Sequence, residues 1–215
     1  EIEEISIDLN PTIPALPRVE DKTTIDVRYV LIAPYAFVHI HWDKKNSELI
    51  YEVEEPSLNE EEKTMLDNLE ESMREIVNIN ILVERTPEAM MEYIDKTARL
   101  LISELNMKVS SETYRKLFYY LFRDFIGLNE IEPLTRDYFI EDIECNGVNT
   151  PLYIIHRLYR NIKTNIIYKD IDNLASFVEK LAQRAGRYIS YASPLLDGTL
   201  PDGSRINATY TTDVT

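Results

Sequence analysis

The hydrophobic period of this chain changes along its length, and that change limits the fold more than any single motif. Between Val27 and Val53 the period is two: Ala36, Val38, Ile40 and Trp42 alternate with Phe37, His39 and His41, as on a strand with one buried face. From Met65 to Phe125 it lengthens to three and four. Leu66, Leu69 and Met73, then Ile94, Ala98 and Leu101, then Leu117, Leu121 and Phe125 mark three successive amphipathic helices. Strand texture returns at Tyr138–Glu144, Leu152–Leu158 and Thr164–Tyr168, before one more helix striped by Leu174, Phe177, Leu181 and Ala185. Strands, then helices, then strands with a helix predict an α+β fold. It consists of an N-terminal hairpin plus a small helical bundle, followed by an α/β subdomain with a mostly antiparallel sheet and a covering helix.

Prolines and caps supply the boundaries. Pro11, Pro14 and Pro17 keep residues 1–25 out of helix, so this stretch reads as an extended arm. The strand hairpin and three helices occupy 26–127, and the α/β subdomain 133–215, with the break between Gly127 and Pro133. Ser57 and Glu60 have capping-box spacing for the first helix, Thr86-Pro87 starts the second and Ser110 or Ser111 the third. Asp172 reads as the cap of the last helix and Gly186 as its stop. Two Asp-Gly steps, Asp197-Gly198 and Asp202-Gly203, read as tight turns bracketing Leu200-Pro201. Arg205 follows the second, held at the start of the strand Ile206–Tyr210.

The net charge of −15 argues against a nucleic-acid binder, which presents a basic face to phosphates. The charge is uneven. Acids dominate from Glu52 to Glu75, whereas Arg157, Lys163, Arg184, Arg187 and Arg205 lie in the C-terminal half. Cys145 is the single cysteine, so no intramolecular disulfide forms; on a predicted strand it reads as a small core residue. No apolar run approaches the roughly 20 residues needed to cross a bilayer, which predicts a cytoplasmic chain. His39 and His41 share a strand face and can share a metal, but a site needs a third ligand and no further His or Cys lies nearby; no metal is expected.

No loop of the form G-x-x-x-x-G-K-[ST] occurs among five glycines. Without a phosphate cradle or a magnesium ligand, these residues are not expected to hydrolyse ATP or hold it tightly. Asp142 and Glu144 on one strand face are the best acid/base pair on offer, with nothing else beside them.

Four blocks carry a resemblance to a known family: Ile140-Glu-Asp-Ile-Glu-Cys-Asn-Gly147, Leu152-Tyr-Ile-Ile-His-Arg157, Leu181-Ala-Gln-Arg-Ala-Gly186, and Leu200-Pro-Asp-Gly-Ser-Arg205 with Thr212-Asp-Val-Thr215. In this order, over roughly Tyr120 to Thr215, they resemble the N-terminal region of an archaeal type II/type IV secretion-superfamily ATPase, most like the archaellum motor. The resemblance implies a homo-hexameric motor whose ATP and Mg sit in a downstream RecA-like ATPase domain, with this region as the facing wall of the cleft. By that likeness the chain ends about where the link to that domain begins, as an excised N-terminal region would.

Arg205 matches the family's cleft arginine, which implies a catalytic and nucleotide-binding role. Arg157 and Arg187 sit in matching blocks and would line the same cleft, while the family's second cleft arginine falls beyond Thr215. The implied partners are a membrane platform protein and accessory motor proteins, which would place the chain in the cytoplasm at the inner face of the membrane. Glu60, Glu61 and Glu62 on the acidic helix are the expected docking residues. The alternative is a protein-interaction adaptor with no nucleotide role, docking through the acidic bundle.

Overall fold

A computed structural model describes residues 5–77 and 86–210. The first four residues of the arm and the Thr212–Thr215 phrase lie outside them. The fold is α+β, with a mostly antiparallel six-stranded sheet in the order β1-β2-β3-β6-β5-β4 and a separate two-stranded sheet, β7-β8. The strands are β1 (Asp26–Ile32), β2 (Ala36–Asp43), β3 (Glu48–Glu54), β4 (Ile140–Glu144), β5 (Pro151–His156), β6 (Arg160–Ile167), β7 (Leu195–Thr199) and β8 (Arg205–Thr209). The long helices are α1 (Glu60–Ile76), α2 (Pro87–Glu104), α3 (Ser111–Leu121) and α4 (Ile171–Arg184). The period-two reading of β2 holds, since Ala36, Val38 and Ile40 are fully buried while His39 and His41 are half-buried.

The chain forms two compact units, one dominated by Val53–Tyr138 and the other by Phe139 onward. In the first, α1 packs on α2 and α3 through Leu69, Met73, Ile94, Ala98, Tyr114 and Leu117, all fully buried. Each large apolar side chain removed from water in this way contributes about 1.5–3 kcal/mol. The box that opens α1 is Asn59 with Glu62, not Ser57 with Glu60. Glu62 N–H donates to Asn59 Oδ1 at 2.8 Å and Asn59 N–H to Glu62 Oε2 at 3.0 Å. Both pairs have box spacing, and the later start is the one that brings Glu62 to Lys116 and Thr113 on α3. After Leu121 the last helix widens into a π turn, Phe122–Ile126, which Gly127 closes by donating its N–H to Phe122 O at 2.9 Å. A Cβ at Gly127 would stand 2.7 Å from Arg123 O, so only glycine fits. In the same unit the arm is tied down by paired backbone hydrogen bonds of 3.0 Å between Asp8 and Ala33.

In the second unit β5 pairs antiparallel with both β4 and β6. The parallel contact is β3 with β6, with Ile50 opposite Lys163 and Tyr51 opposite Thr164. Leu152, Ile154 and Ile162 fill its core beside His156, which is fully buried and stacked between Phe139 and Tyr159. β6 begins four residues earlier than its Thr164 expectation because the β5–β6 turn is short, with Arg160 at φ 69°. Asp170, not Asp172, caps α4, accepting from Asp172 N–H at 3.1 Å. Cys145 is exposed just past β4 rather than in the core, because the strand ends at Glu144.

Asp197-Gly198 is not a turn. It lies inside β7, where a Cβ on Gly198 would stand 2.9 Å from Ala185 Cβ; the glycine serves a close approach of strand to helix end. The β7–β8 hairpin folds onto α4 through Ala182, Ile189 and Leu196, with Val178, Ile206 and Ala208 around them. Among the described residues no helix is long and apolar enough to cross a membrane.

Candidate functional site

Arg205 stands where the hairpin makes its turn. Leu200 and Ser204 close the turn with an N–H···O bond of 2.8 Å, and Gly203, at φ 90°, donates back to Leu200 at 2.9 Å. Asp202 accepts from the Ser204 N–H at 2.9 Å and the Ser204 hydroxyl at 3.0 Å, which fixes the backbone just before Arg205. Arg205 then opens β8 opposite Thr199. Its side chain is 74 % exposed and, among the described residues, reaches Asp197 at 3.8 Å. So exposed and long a pair contributes at most about 1 kcal/mol; the turn sets the Arg205 backbone, and the guanidinium extends into solvent. At the far end, Tyr210 donates to Glu179 on α4 at 2.7 Å and its ring lies tilted against Tyr191, centroids 4.9 Å apart.

Of the other two expected cleft arginines, Arg187 lies beside this hairpin. A Cβ on Gly198 would stand 3.5 Å from Arg187 Cγ, and Gly198 is paired with Ile206, next to Arg205. Arg157 sits in the β5–β6 turn and faces Glu141 on β4 at 3.8 Å. The hairpin thus gathers Arg205 and Arg187, and Arg157 belongs to the β4–β5 side. In the same stretch of chain Tyr188, Tyr191 and Leu195 are 78 %, 66 % and 73 % exposed.

The three glutamates of α1 divide. Glu60 is open to solvent and, among the described residues, pairs with Lys63 on its own helix, and Glu61 is exposed. Glu62 is buried, holds the helix cap and accepts from Lys116 at 3.1 Å. The Asn59 N–H, and then Lys116 and Thr113, hold its carboxyl below the usual range against the opposing effect of burial. A docking face on α1 therefore has Glu60 and Glu61 to offer, and Glu62 serves the fold.

Sequence reasoning passed over a buried charge network at the π turn. Arg123 Nη1 donates to both oxygens of Glu55, at 3.0 and 3.1 Å, and its Nε and Nη2 hold Asp124 at 2.8 and 3.1 Å. Tyr119 donates to Glu55 at 2.7 Å, and the guanidinium lies 4.7 Å from the centre of the Tyr120 ring. Burial opposes the charge on Arg123, but Asp124 and Glu55 outweigh it and hold the guanidinium above its ordinary range. Burial, then Glu55, push the Tyr119 phenol up. Glu130 Oε2 is buried there without a hydrogen-bond partner. The signal in the sequence was adjacent Arg123-Asp124 inside an otherwise apolar aromatic run.

Between β2 and β3, His41 Nε2 and Glu52 Oε2 lie 3.3 Å apart.

No family model matches the chain. It is 32 % identical over 195 residues to the uncharacterized protein MJ1288 of Methanocaldococcus jannaschii, an alignment covering 91 % of this chain and 77 % of that relative. From the same organism, the uncharacterized protein MJ0900 is 44 % identical over 108 residues, half of this chain but 19 % of that protein. The uncharacterized protein MJ0781 is 40 % identical over 98 residues, covering 46 % of this chain and 13 % of its own length.

Proposed function

The chain belongs to the same family as the uncharacterized protein MJ1288 of Methanocaldococcus jannaschii, and from that premise we propose that it is the N-terminal regulatory and coupling region of a secretion-type motor ATPase. In this reading the motor is a homo-hexamer driving archaellum or pilus assembly. The β7–β8 hairpin faces ATP and Mg bound to a RecA-like domain elsewhere in the protein, and Arg205 lends its charge to the nucleotide. Arg187 lines the same approach. The acidic face of α1 docks on a membrane platform protein and accessory motor proteins, at the inner face of the membrane.

The observation that carries the reading is Arg205 itself, an exposed guanidinium projecting from the backbone just after a hydrogen-bonded turn. A planar donor fork on rigid backbone suits phosphate recognition, and an arginine aimed at charge developing on a transferred phosphoryl group is worth roughly 10³–10⁵ in rate. Recurrence of a block of this chain inside proteins of which it makes up under a fifth supports a module that serves larger architectures. The test is Arg205→Ala in the full-length motor. We expect the turnover rate to fall far more than nucleotide affinity, with an unchanged melting temperature, and Arg205→Lys to rescue little. Turnover within about twofold of the parent rejects the role. The adaptor reading is favoured by Glu60 and Glu61 alone; it predicts normal turnover in the same variant and lost docking in theirs.

A further inference from the structure

We propose that Asn146-Gly147, in the β4–β5 connection, is a self-modifying step: in the folded protein the Gly147 backbone nitrogen attacks the Asn146 side-chain amide, and the asparagine becomes aspartate or isoaspartate. Asn146 is followed by glycine, alone among the asparagines of the sequence. With no Cβ on the following residue, the backbone nitrogen can approach its neighbour's side chain closely. Asn146 is exposed, beyond the end of β4 at Glu144, and Gly147 stands at φ 100°. Among the described residues no hydrogen bond occupies the Gly147 N–H or the Asn146 amide. That free N–H is the group the reaction consumes. Two other steps carry the same side-chain-to-glycine geometry, Asp197-Gly198 and Asp202-Gly203, and the fold closes both. Gly203 donates its N–H to Leu200 O at 2.9 Å. Gly198 pairs with Ile206, and the hydrogen-bonded pairs on either side, Leu200 with Ser204 and Pro194 with Tyr210, put its N–H inside the ladder by alternation.

The step balances with water as its co-reactant. The Gly147 N–H gives its proton to solvent base and the nitrogen bonds to Asn146 Cγ, closing a cyclic imide. The Cγ–Nδ2 bond breaks, and ammonia leaves with a proton from solvent. Water then opens the ring. Addition at Cγ breaks the new bond and gives aspartate; addition at the Asn146 main-chain carbonyl breaks the original peptide bond and gives isoaspartate, with the chain running through the side chain. Either product adds negative charge to a connection that follows the exposed Glu141, Asp142 and Glu144 of β4. The β4–β5 ladder ends where Glu144 stands opposite Tyr153, so the altered link lies outside it and the sheet survives the change.

The experiment incubates the whole chain, folded, in mildly alkaline buffer beside a sample unfolded in urea, and maps both by digestion and mass spectrometry. The Asn146 peptide should gain the mass difference between a hydroxyl and an amino group, and its isoaspartate form should take a labelled methyl group from protein isoaspartyl methyltransferase. Folded and unfolded samples should convert at similar rates at this step. Asp197 and Asp202 react only after local opening, so isoaspartate there should form at least about tenfold more slowly in the folded chain than in urea. Asn146→Gln should abolish the mass change and the methyl label of that peptide, with an unchanged circular dichroism spectrum. Lack of conversion at Asn146 in the folded chain overturns the proposal, whatever the unfolded sample does. Conversion at Asp197 or Asp202 as fast in the folded chain as in urea overturns it too, since a free N–H would then not be what selects the site.

Discussion

Glu70 on α1 feels the carboxylate of Asp124 on the π turn, two like charges brought together from different elements of the helical unit. Burial, and then the Asp124 charge, push the Glu70 carboxyl up from 4.5 to about 7. Glu70 also accepts from Arg74 at 3.2 Å, and that opposing guanidinium is too exposed to reverse the shift.

The pH dependence follows in sign. The folded state holds this proton more tightly than the unfolded chain, so the stabilisation is fully present below about 4.5 and is lost as pH rises through about 7. The window corresponds to at most about 3 kcal/mol. Glu70→Gln should remove the dependence and leave the chain more stable than the parent at pH 8. Thermal melts of both proteins at pH 5.0 and 8.0 measure it. Equal pH slopes in the two proteins contradict the raised Glu70 carboxyl.

Arg123→Ala strands Glu55 and Asp124 without their cation in a site where Arg123 is only 11 % exposed. Breaking a buried pair from one side costs about 3–5 kcal/mol. Urea denaturation should show a loss of that size, and Arg123→Lys should recover little of it, since one ammonium cannot hold two carboxylates along a planar fork. A midpoint unchanged in Arg123→Ala would show the network to be dispensable.

Gly198→Ala places a methyl group 2.9 Å from Ala185 Cβ. Overpacking of this kind costs about 1–3 kcal/mol. The Gly198→Ala, Ala185→Gly double variant should regain most of the loss, and chemical denaturation of the single and double variants reads the coupling. If Gly198→Ala is neutral, the strand does not lie so close to the helix end.

If the proposed motor docks on a platform protein through α1, Glu60→Lys with Glu61→Lys should weaken that docking while leaving the melting temperature within a degree or two of the parent. Glu62→Ala should do the reverse, losing about 1 kcal/mol as the helix cap fails. Pull-down across a salt series reads docking, since screening shortens from about 10 Å at 0.1 M to about 3 Å at 1 M. Unaffected binding by the Glu60, Glu61 variant removes α1 from the interface.

The sequence carried the α+β architecture because period and burial agree: Leu66, Leu69 and Met73 on α1, and Ala36, Val38 and Ile40 on β2, fall on the buried faces that their spacing predicts. What it hid were choices between equal local signals. Ser57-Glu60 and Asn59-Glu62 are both boxes, and only Lys116, reached from another helix, distinguishes them. Asp197-Gly198 has turn chemistry, yet packing against Ala185 makes it strand. The functional clusters were less legible still. Arg123 finds Glu55 68 residues away, and Glu52 joins His41 only through the strand alignment. Distance along the chain, not weakness of the contact, concealed them.

The parallel seam between β3 and β6 has a temporal consequence. Lys163 meets Glu48 across 115 residues of chain, and the whole helical stretch lies between those strands in the sequence. During synthesis the first hairpin emerges early, with the β3 edge that β6 will occupy still waiting for its partner. At about 5–20 residues per second, that edge stays open for several seconds while the helices form. Loop closure over so long a span is slow and gains nothing until both strands are present. Ribosome-bound chains released before residue 167 should therefore yield folded helices beside an unfinished sheet. That interval is when the protein is most open to pairing with the wrong strand.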